Sequence, residues 1–358
     1  MHCSAETEPP LRLKVGITYN QKHSASPDYE WSDEAEFDDE DTIRAIQSAL
    51  EAAGLAVELY EATEDLPIRL IQNRPDIVFN IAEGTRGRGR EAQVPAILNY
   101  LNIPFTGSDE TTLCIAMDKA LTKRIASSYG IRTPAYEVVK SGTFLQATPP
   151  NPAFEWSGSF PLIVKPNSEG SSKGISDISI VNDAAALRHV LTEKINAYKQ
   201  DMLLEEYISG REFTVGILGN GEALRVFPPM EIIFIDKARS IYSYEVKRNF
   251  RRYVRYECPP DIDAALREEI EETAETVYRA LECRDFARMD FRLSPDNSRV
   301  VGSPEGRLYF IEINPLSGLA PGYSDFPMIA EFCGMDYKTL IWNILDSALA
   351  RYGLRNRV

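Results

Sequence analysis

Ile163-Val164-Lys165-Pro166-Asn167-Ser168-Glu169-Gly170-Ser171-Ser172-Lys173-Gly174 opens as an apolar strand and ends as a loop of small residues. The strand, fitted to residues 161–165, delivers a lysine to the mouth of that loop. Glycine and serine let a backbone approach an anion closely, so such a loop can turn its N–H groups toward a phosphate. Lys165 places a point charge beside the same anion. The segment is not a Walker loop, because Gly-Lys-Ser/Thr does not follow at that spacing. In isolation an ordinary polar turn explains it better. Its surroundings decide its meaning.

Toward the N-terminus, residues 11–20 alternate like a strand. A helix fits 42–53, with Ile43, Ile46, Leu50 and Ala53 on one face, Asp41 or Thr42 as cap and Gly54 as stop. A strand fits 56–60 and a short helix 66–72. The run Ile77-Val78-Phe79-Asn80-Ile81 has the composition of a buried parallel strand. Helices fit 91–102, with Pro95 in the first turn, and 117–128, before Gly130. Such alternation points to an open parallel sheet with helices on its faces. Beyond Gly130 it stops. Residues 142–158 form a Pro-rich surface stretch. Strands fit 202–208 and 212–218, with Gly219-Asn220-Gly221 as a hairpin turn. Helices fit 183–198, 262–281 and 337–350. Strands at 286–293 and 308–313 flank a polar excursion over 294–306.

Composition narrows the classes. A length of 358 residues suits roughly two to three domains. Hydrophobic residues at 44% and charged residues at 26% exclude collagenous, low-complexity and wholly disordered chains. No run reaches the ~18 apolar residues of a membrane span. The start of the chain lacks the charged and apolar regions of a secretory signal, so a cytoplasmic location is expected and a membrane partner is not. The formal charge of −15 argues against nucleic acid, which needs basic stripes. Nine acids crowd residues 28–41, most simply as a solvated face. Cys3, Cys114, Cys258, Cys283 and Cys333 are scattered without a CxxC pair, which fits a reduced compartment and disfavours zinc or a disulfide framework. Three histidines support neither a His-ligated metal centre nor a Ser-His-Asp hydrolase.

Three more segments carry chemistry-bearing side chains. Arg288-Met289-Asp290-Phe291-Arg292 is followed further along by Glu312-Ile313-Asn314-Pro315. Glu312 and Asn314, two apart, face one side of a strand. With Asp290 on a neighbouring strand they present the hard oxygen donors that Mg²⁺ takes beside substrate phosphates. Exposed acids on two strands are the plain alternative. Leu203-Leu204-Glu205-Glu206-Tyr207-Ile208 offers backbone to an adenine edge and a carboxylate to a ribose, or is simply a sheet edge. In Met117-Asp118-Lys119-Ala120-Leu121-Thr122-Lys123 the two lysines share a helix face, most simply as solvated charges.

In this order the segments resemble the ATP-grasp enzymes, and more closely the D-alanine–D-alanine ligase family. The resemblance runs from about Leu13 to Leu349. Its specific stretches are Ile103-Pro104-Phe105-Thr106-Gly107-Ser108, Met117-Asp118-Lys119, the 163–174 loop, Gly210-Arg211-Glu212-Phe213-Thr214-Val215, Tyr242-Ser243-Tyr244-Glu245-Val246-Lys247 and Glu312-Ile313-Asn314-Pro315-Leu316-Ser317-Gly318. It implies a mixed α/β, three-domain ATP-grasp architecture. An N-terminal open parallel, Rossmann-like pre-ATP-grasp domain would cover 1–108. A central subdomain with the phosphate loop would cover 109–204, and a C-terminal subdomain with metal ligands and a mobile loop 205–358.

The resemblance also implies ATP and two Mg²⁺ ions, with Mn²⁺ as a substitute. Lys119 and Lys165 look like the lysines that hold ATP phosphates, together with Ser171 and Ser172 of the loop. Glu205, Glu206, Tyr207 and Ile208 resemble the adenine hinge, and Glu212 the ribose contact. Asp290, Glu312 and Asn314 look like the metal ligands. Arg288 and the Gly318 N–H resemble the donors to a tetrahedral oxyanion, with Ser172 among the catalytic groups. Lys247, also catalytic, and Ser324 fall where the family grips the carboxylate of its second amino acid. Residues 242–252 match the loop that closes over the site. Homodimers are common in the family. The chemistry implied is ATP-driven conversion of a carboxylate to an acyl phosphate, then attack by an amine. Electrostatic stabilisation is its main catalytic term, and a closing loop keeps water out.

Departures cluster in the substrate half. The family's Glu-His-Glu-like motif after the first strand is replaced by Tyr19-Asn20-Gln21-Lys22-His23, leaving Glu34, Glu36 and Asp38 as candidates for a substrate ammonium. An acidic turn is replaced by Glu83-Gly84-Thr85-Arg86-Gly87-Arg88-Gly89-Arg90-Glu91, which suits either an extra anionic group on a substrate or ion pairs with Glu83 and Glu91. Glu83 and Arg88 are the substrate candidates there. Arg248 follows Lys247 where an aromatic is usual, and Asn314-Pro315-Leu316-Ser317-Gly318 stands for Asn-Thr-x-Pro-Gly. The expectation is an ATP-dependent carboxylate–amine ligase acting on small amino-acid-like molecules that need not be D-alanine. A true cell-wall D-alanine–D-alanine ligase is the first alternative. A nucleotide-binding regulator is the second, disfavoured because Lys119, Lys165, Asp290, Glu312 and Asn314 are all present.

Overall fold

A computed structural model describes residues 13–23, 33–146, 156, 158–170, 179–235, 246, 249–295 and 306–357. Ser171, Ser172, Lys247, Arg248, part of the acidic loop and most of the 294–306 excursion lie outside these.

The N-terminal strands form a parallel sheet. β1 (Lys14–Tyr19) lies between β2 (Ala56–Glu61) and β3 (Ile77–Asn80), with Ile17 opposite Leu59 and Phe79. Both faces are covered, as continuous apolar strands require. On one face Val15, Ile17 and Phe79 pack against Ile43, Ile46 and Leu50 of α1 (Glu40–Ala52) and Ile341, Ile344 and Leu345 of the C-terminal helix α11 (Tyr337–Arg351). On the other, Tyr60 and Val78 meet Leu66 and Leu70 of α2 (Leu66–Gln72) and Val94 and Leu98 of α3 (Gln93–Tyr100). Gly54 ends α1 with φ of +86°, a conformation glycine adopts without strain. The cap position of α1 is Asp39, two residues earlier than the sequence suggests.

The helix expected over 117–128 begins at Lys119, and another precedes it. α4 (Glu110–Met117) was not foreseen, because its apolar residues make no clean stripe, and α5 (Lys119–Ser128) follows directly. Asp118 separates them. Its backbone is extended, with ψ of 94°, and its side chain accepts from the Leu121 N–H at 3.0 Å.

The second sheet is antiparallel in the order β4 (Tyr136–Val139), β7 (Met202–Glu206), β5 (Leu162–Pro166), β6 (Ile180–Val181). Leu187, Val190 and Leu191 of α7 (Ala184–Tyr198) cover its inner face. The stretch expected as Pro-rich surface begins instead with a helix, α6 (Ser141–Gln146), whose Phe144 is buried in the same cluster.

The third sheet is antiparallel in the order β11 (Val254–Glu257), β10 (Met230–Phe234), β8 (Arg211–Leu218), β12 (Phe286–Pro295), β13 (Gly306–Asn314), with β9 (Arg225–Val226) also on β8. A single helical turn, α8 (Phe250–Tyr253), precedes β11. One face carries α9 (Ala264–Ala280) through Leu266, Ile270 and Val277. The other carries α10 (Asp325–Phe332), whose Phe326 stacks on Phe286 at 5.8 Å and meets Phe227 edge-on at 6.1 Å. Gly216 makes that seat, since a Cβ there would lie 2.7 Å from the Phe326 ring. This cluster is continuous with the α1–α11 layer, so one core joins the first sheet to the third. Among the described residues no helix is long and apolar enough to cross a membrane.

Candidate active site

The site grows from the β12–β13 ladder. Asp290 lies opposite Glu312 and Arg288 opposite Asn314. The register then slips, pairing Phe291 with Phe310 and leaving Ile311 as the extra residue of a bulge. A carbonyl released from a ladder needs another donor. Lys123 supplies it, with Nζ 2.8 Å from the Ile311 oxygen.

Lys123 corrects an expectation. Instead of a solvated charge it is wholly buried, and Nζ is 2.6 Å from Glu205 Oε1. Lys165 Nζ lies 2.6 Å from the other Glu205 oxygen. The Glu205 carboxylate is thus enclosed between two ammonium groups, which hold it below the usual carboxylate range although burial opposes them. Burial pushes Lys123 down to about 8, and the charge of Lys165 adds to that effect. Burial also lowers Lys165, but two facing carboxylates, Glu205 and Glu312, outweigh it and carry its net shift upward. The carboxylate of Glu205 therefore points at lysines, and only its backbone remains for a hinge.

Glu312 faces several cations. Burial raises it, yet Lys119, Lys165 and Arg288 hold it down to about 2. Lys119, in the first turn of α5, has Nζ 3.4 Å from Glu312 and also donates to the Glu169 carbonyl. Burial raises Asp290, and Glu312 adds to it against Arg288. Arg288 binds Asp290 side-on, through Nε at 3.2 Å and Nη2 at 2.9 Å, and reaches Asp325 through Nη1 at 3.3 Å. Asn314 Nδ2 is 3.4 Å from Asp290. A Cβ on Gly318 would lie 2.9 Å from Ser324 Oγ, which accepts from the Ala320 N–H at 3.1 Å. Lys119, Lys165, Arg288, Asp290, Glu312 and Asn314 are therefore one cluster, with Asp325 joining it to the turn that holds Gly318 and Ser324.

The segment expected as a hinge lies at the cluster's edge. Arg292 organises it, donating to Glu212 at 2.5 Å, to the Tyr207 hydroxyl at 3.1 Å and to the Ile208 carbonyl at 2.9 Å. Glu206 is the last residue of β7. The Glu212 carboxylate is raised, since burial outweighs Arg292.

The described start of the loop expected to bind phosphate is tied to turns of the N-terminal region at Glu36 and Arg90. The Gly170 N–H donates to Glu36 Oε1 at 2.7 Å. Arg90 binds Glu36 through Nε at 3.1 Å, the Ser168 carbonyl at 2.9 Å and Glu169 at 3.3 Å. Arg90 is thus a structural ion pair, but with Glu36 and Glu169 as its partners at bonding distance. Glu83 and Glu91 stand behind it. Burial raises both, Glu91 to about 8, and each feels the charge of Glu36. Arg88 stands apart, mostly exposed and 3.6 Å from Asp118.

Sequence reasoning missed Arg292, Asp325 and the buried role of Lys123. The spacing of Lys123 from Lys119 was a signal for the last; the other two carried none.

A family model for the D-Ala–D-Ala ligase C-terminus matches residues 125–346. The chain belongs to the D-alanine–D-alanine ligase family. It is 34% identical over 303 residues to the D-alanine–D-alanine ligase of Aquifex aeolicus, covering 84% of this chain and 92% of that one. It is 33% identical over 276 residues to y4sG, an uncharacterised protein of Sinorhizobium fredii, covering 77% and 75%. The fold is that of the D-alanine–D-alanine ligase of Bacillus anthracis complexed with ATP, at a TM-score of 0.68, 22% identity and coverage of 95% and 99%. This family member is an ATP-dependent ligase that forms carbon–nitrogen bonds, with the mixed α/β ATP-grasp fold.

Proposed function

We propose that this ligase phosphorylates the carboxylate of one amino-acid-like molecule and passes the acyl group to the amine of a second, releasing ADP and phosphate. The observation that carries it is the register of Asp290 against Glu312, with Lys119 and Lys165 both bearing on Glu312. In this reading Lys119 and Lys165 grip ATP phosphates, aided by the N–H groups at Ser171 and Ser172. The backbone from Glu205 through Glu206 and Tyr207 to Ile208 meets the adenine, and Glu212, steadied by Arg292, the ribose. Arg288 and the Gly318 N–H receive the oxyanion. Ser324 and Lys247 hold the carboxylate of the second substrate. The three units divide near residues 108 and 204.

Among the described residues no group of three His, Cys, Asp or Glu forms a metal cage. Two carboxylates and the Asn314 amide oxygen are the donor set, and it fits Mg²⁺, which keeps few protein ligands and completes its shell with phosphate and water. Asp290, Glu312 and Asn314 would hold the ions. When bound, two Mg²⁺ or Mn²⁺ ions neutralise the anionic oxygens that phosphoryl transfer brings together.

Glu36, with Glu83 and Glu91 close behind Arg90, is the acid that would meet an ammonium on the first substrate. D-alanine on both sides is supported by the names of the Aquifex aeolicus relative and others of similar identity. A different donor is supported by the exchange of the usual acidic turn for one that carries Arg86 and the mostly exposed Arg88. Phosphate release from MgATP across single and paired D- and L-amino acids, with products weighed by mass spectrometry, decides. Dipeptide from D-alanine alone assigns the cell-wall substrate. Release only with other pairs assigns another donor or acceptor. Release with none, unchanged in Asp290→Ala, overturns ligation of amino acids.

A further inference from the structure

Asp325 has no role in the reading above. It is the first residue of α10, it is 2% exposed, and Ser324 precedes it at the cap. A carboxylate at that depth requires a charged or hydrogen-bonding partner. Its Oδ2 is 3.3 Å from Arg288 Nη1. Arg288 therefore stands between two acids on different elements, the half-buried Asp290 and the buried Asp325. Asp290 sits on its own strand and Asp325 on the helix packed against the same sheet.

The two acids use different parts of the guanidinium. Asp290 takes the side-on edge, Nε and Nη2, and Asp325 takes Nη1. A guanidinium carries five N–H donors in a rigid fork, so this division leaves hydrogens on both terminal nitrogens for an oxyanion. Asp290 also faces Glu312 in register and Asn314 at 3.4 Å. A carboxylate cannot serve a bidentate arginine and a divalent cation equally well at once.

We propose that Asp325 is a positioning residue: it anchors Arg288 through Nη1, so that the arginine stays at the acyl centre while Asp290 turns to the metal. This rests on the reading of Asp290 as a metal ligand. With Asp325 neutralised, Asp290, already bound at two points, is the carboxylate left to hold Arg288, and arginine and cation compete for it. Two effects follow. Metal binding weakens, and the arginine is held less firmly once metal is bound.

The test is a Mn²⁺ titration of the full-length protein with ADP, read by electron paramagnetic resonance. Wild type, Asp290→Asn, Asp325→Asn, Asp325→Glu, Arg288→Met and the double variant Arg288→Met/Asp325→Asn are compared, each first shown to unfold cooperatively. Asp325→Asn should raise the half-saturating Mn²⁺ concentration by about tenfold, the scale of one charge-assisted hydrogen bond. Asp325→Glu should largely restore it. In the Arg288→Met background Asp325→Asn should change little, because the competitor is gone. An equal loss in both backgrounds would mean that Asp325 acts on the cation directly, and would overturn the proposal. So would wild-type affinity in Asp325→Asn while Asp290→Asn loses the site. If Asp290→Asn loses nothing, the metal reading itself fails and takes this one with it. Asp325→Ser replaces Asp325→Asn if the latter does not fold.

Discussion

Glu205→Gln removes one negative charge from between two buried ammonium groups and changes little else. Both lysine nitrogens lie 2.6 Å from the carboxylate, and Lys123, Lys165 and Glu205 are each almost fully enclosed. Breaking a buried pair by deleting one partner leaves an uncompensated charge and costs about 3–5 kcal/mol. Whole domains are stable by only about 5–15 kcal/mol. With a urea m value of about 3 kcal/mol/M, the midpoint should fall by about 1–1.7 M. The pH dependence carries a sign. Lys123 titrates near 8 in the fold, below its ordinary 10.5, so the unfolded chain binds the extra proton between those values and stability rises with pH across them. The variant pushes Lys123 lower still, so its deficit should be larger near pH 7 than near pH 9.5. Glu205→Leu combined with Lys123→Met should recover part of the loss, because a buried pair can be replaced by apolar residues at small cost. A midpoint shift below about 0.3 M for Glu205→Gln at neutral pH would refute the argument that this carboxylate keeps both lysines buried.

Arg288→Met should lower kcat about 10²–10³-fold with little change in the KM for ATP, since an oxyanion donor acts in the transition state; steady-state kinetics with the identified substrate pair checks it. Gly84→Ala should destabilise by about 1–3 kcal/mol. Its φ is +74° and a Cβ would lie 2.0 Å from the Arg90 carbonyl, and calorimetric unfolding measures the cost. Glu91 titrates at about 8 in the fold against an ordinary 4.5, so the folded protein holds the extra proton and stability falls as pH rises through that window. Urea midpoints across it should show the fall, and Glu91→Gln should flatten it.

Much of the fold was legible because it rests on periodicity. The unbroken apolar run of Ile77-Val78-Phe79-Asn80-Ile81 belongs to a strand covered on both faces, and it became the edge of the parallel sheet. The two-residue spacing of Glu312 and Asn314 placed both on one side of β13, opposite β12. Other elements were not legible. Met230–Phe234 and Val254–Glu257 are short, and their strand character comes from pairing with each other and with β8. Asp118 breaks a helix that composition would continue, because its side chain also accepts from Asn167 Nδ2 at 2.9 Å, across the sheet boundary.

By itself the sequence determined the types of element, the phosphate-loop composition and the residues that carry charge to the site. It did so because turn chemistry and side-chain period are local properties of the chain. Only the tertiary structure decided what those charges meet. Lys123 looked solvated from its helix face, yet β13 and β7 close over that face and bring Ile311 and Glu205 to it. Glu36 lay in what read as a solvated acidic loop, yet it receives the Gly170 N–H and Arg90. Asp325 opened a helix not read at all, and it meets Arg288 from across the core. In each case the partners are far apart along the chain. An ion pair's strength depends on burial and distance, and both exist only once the sheets have packed.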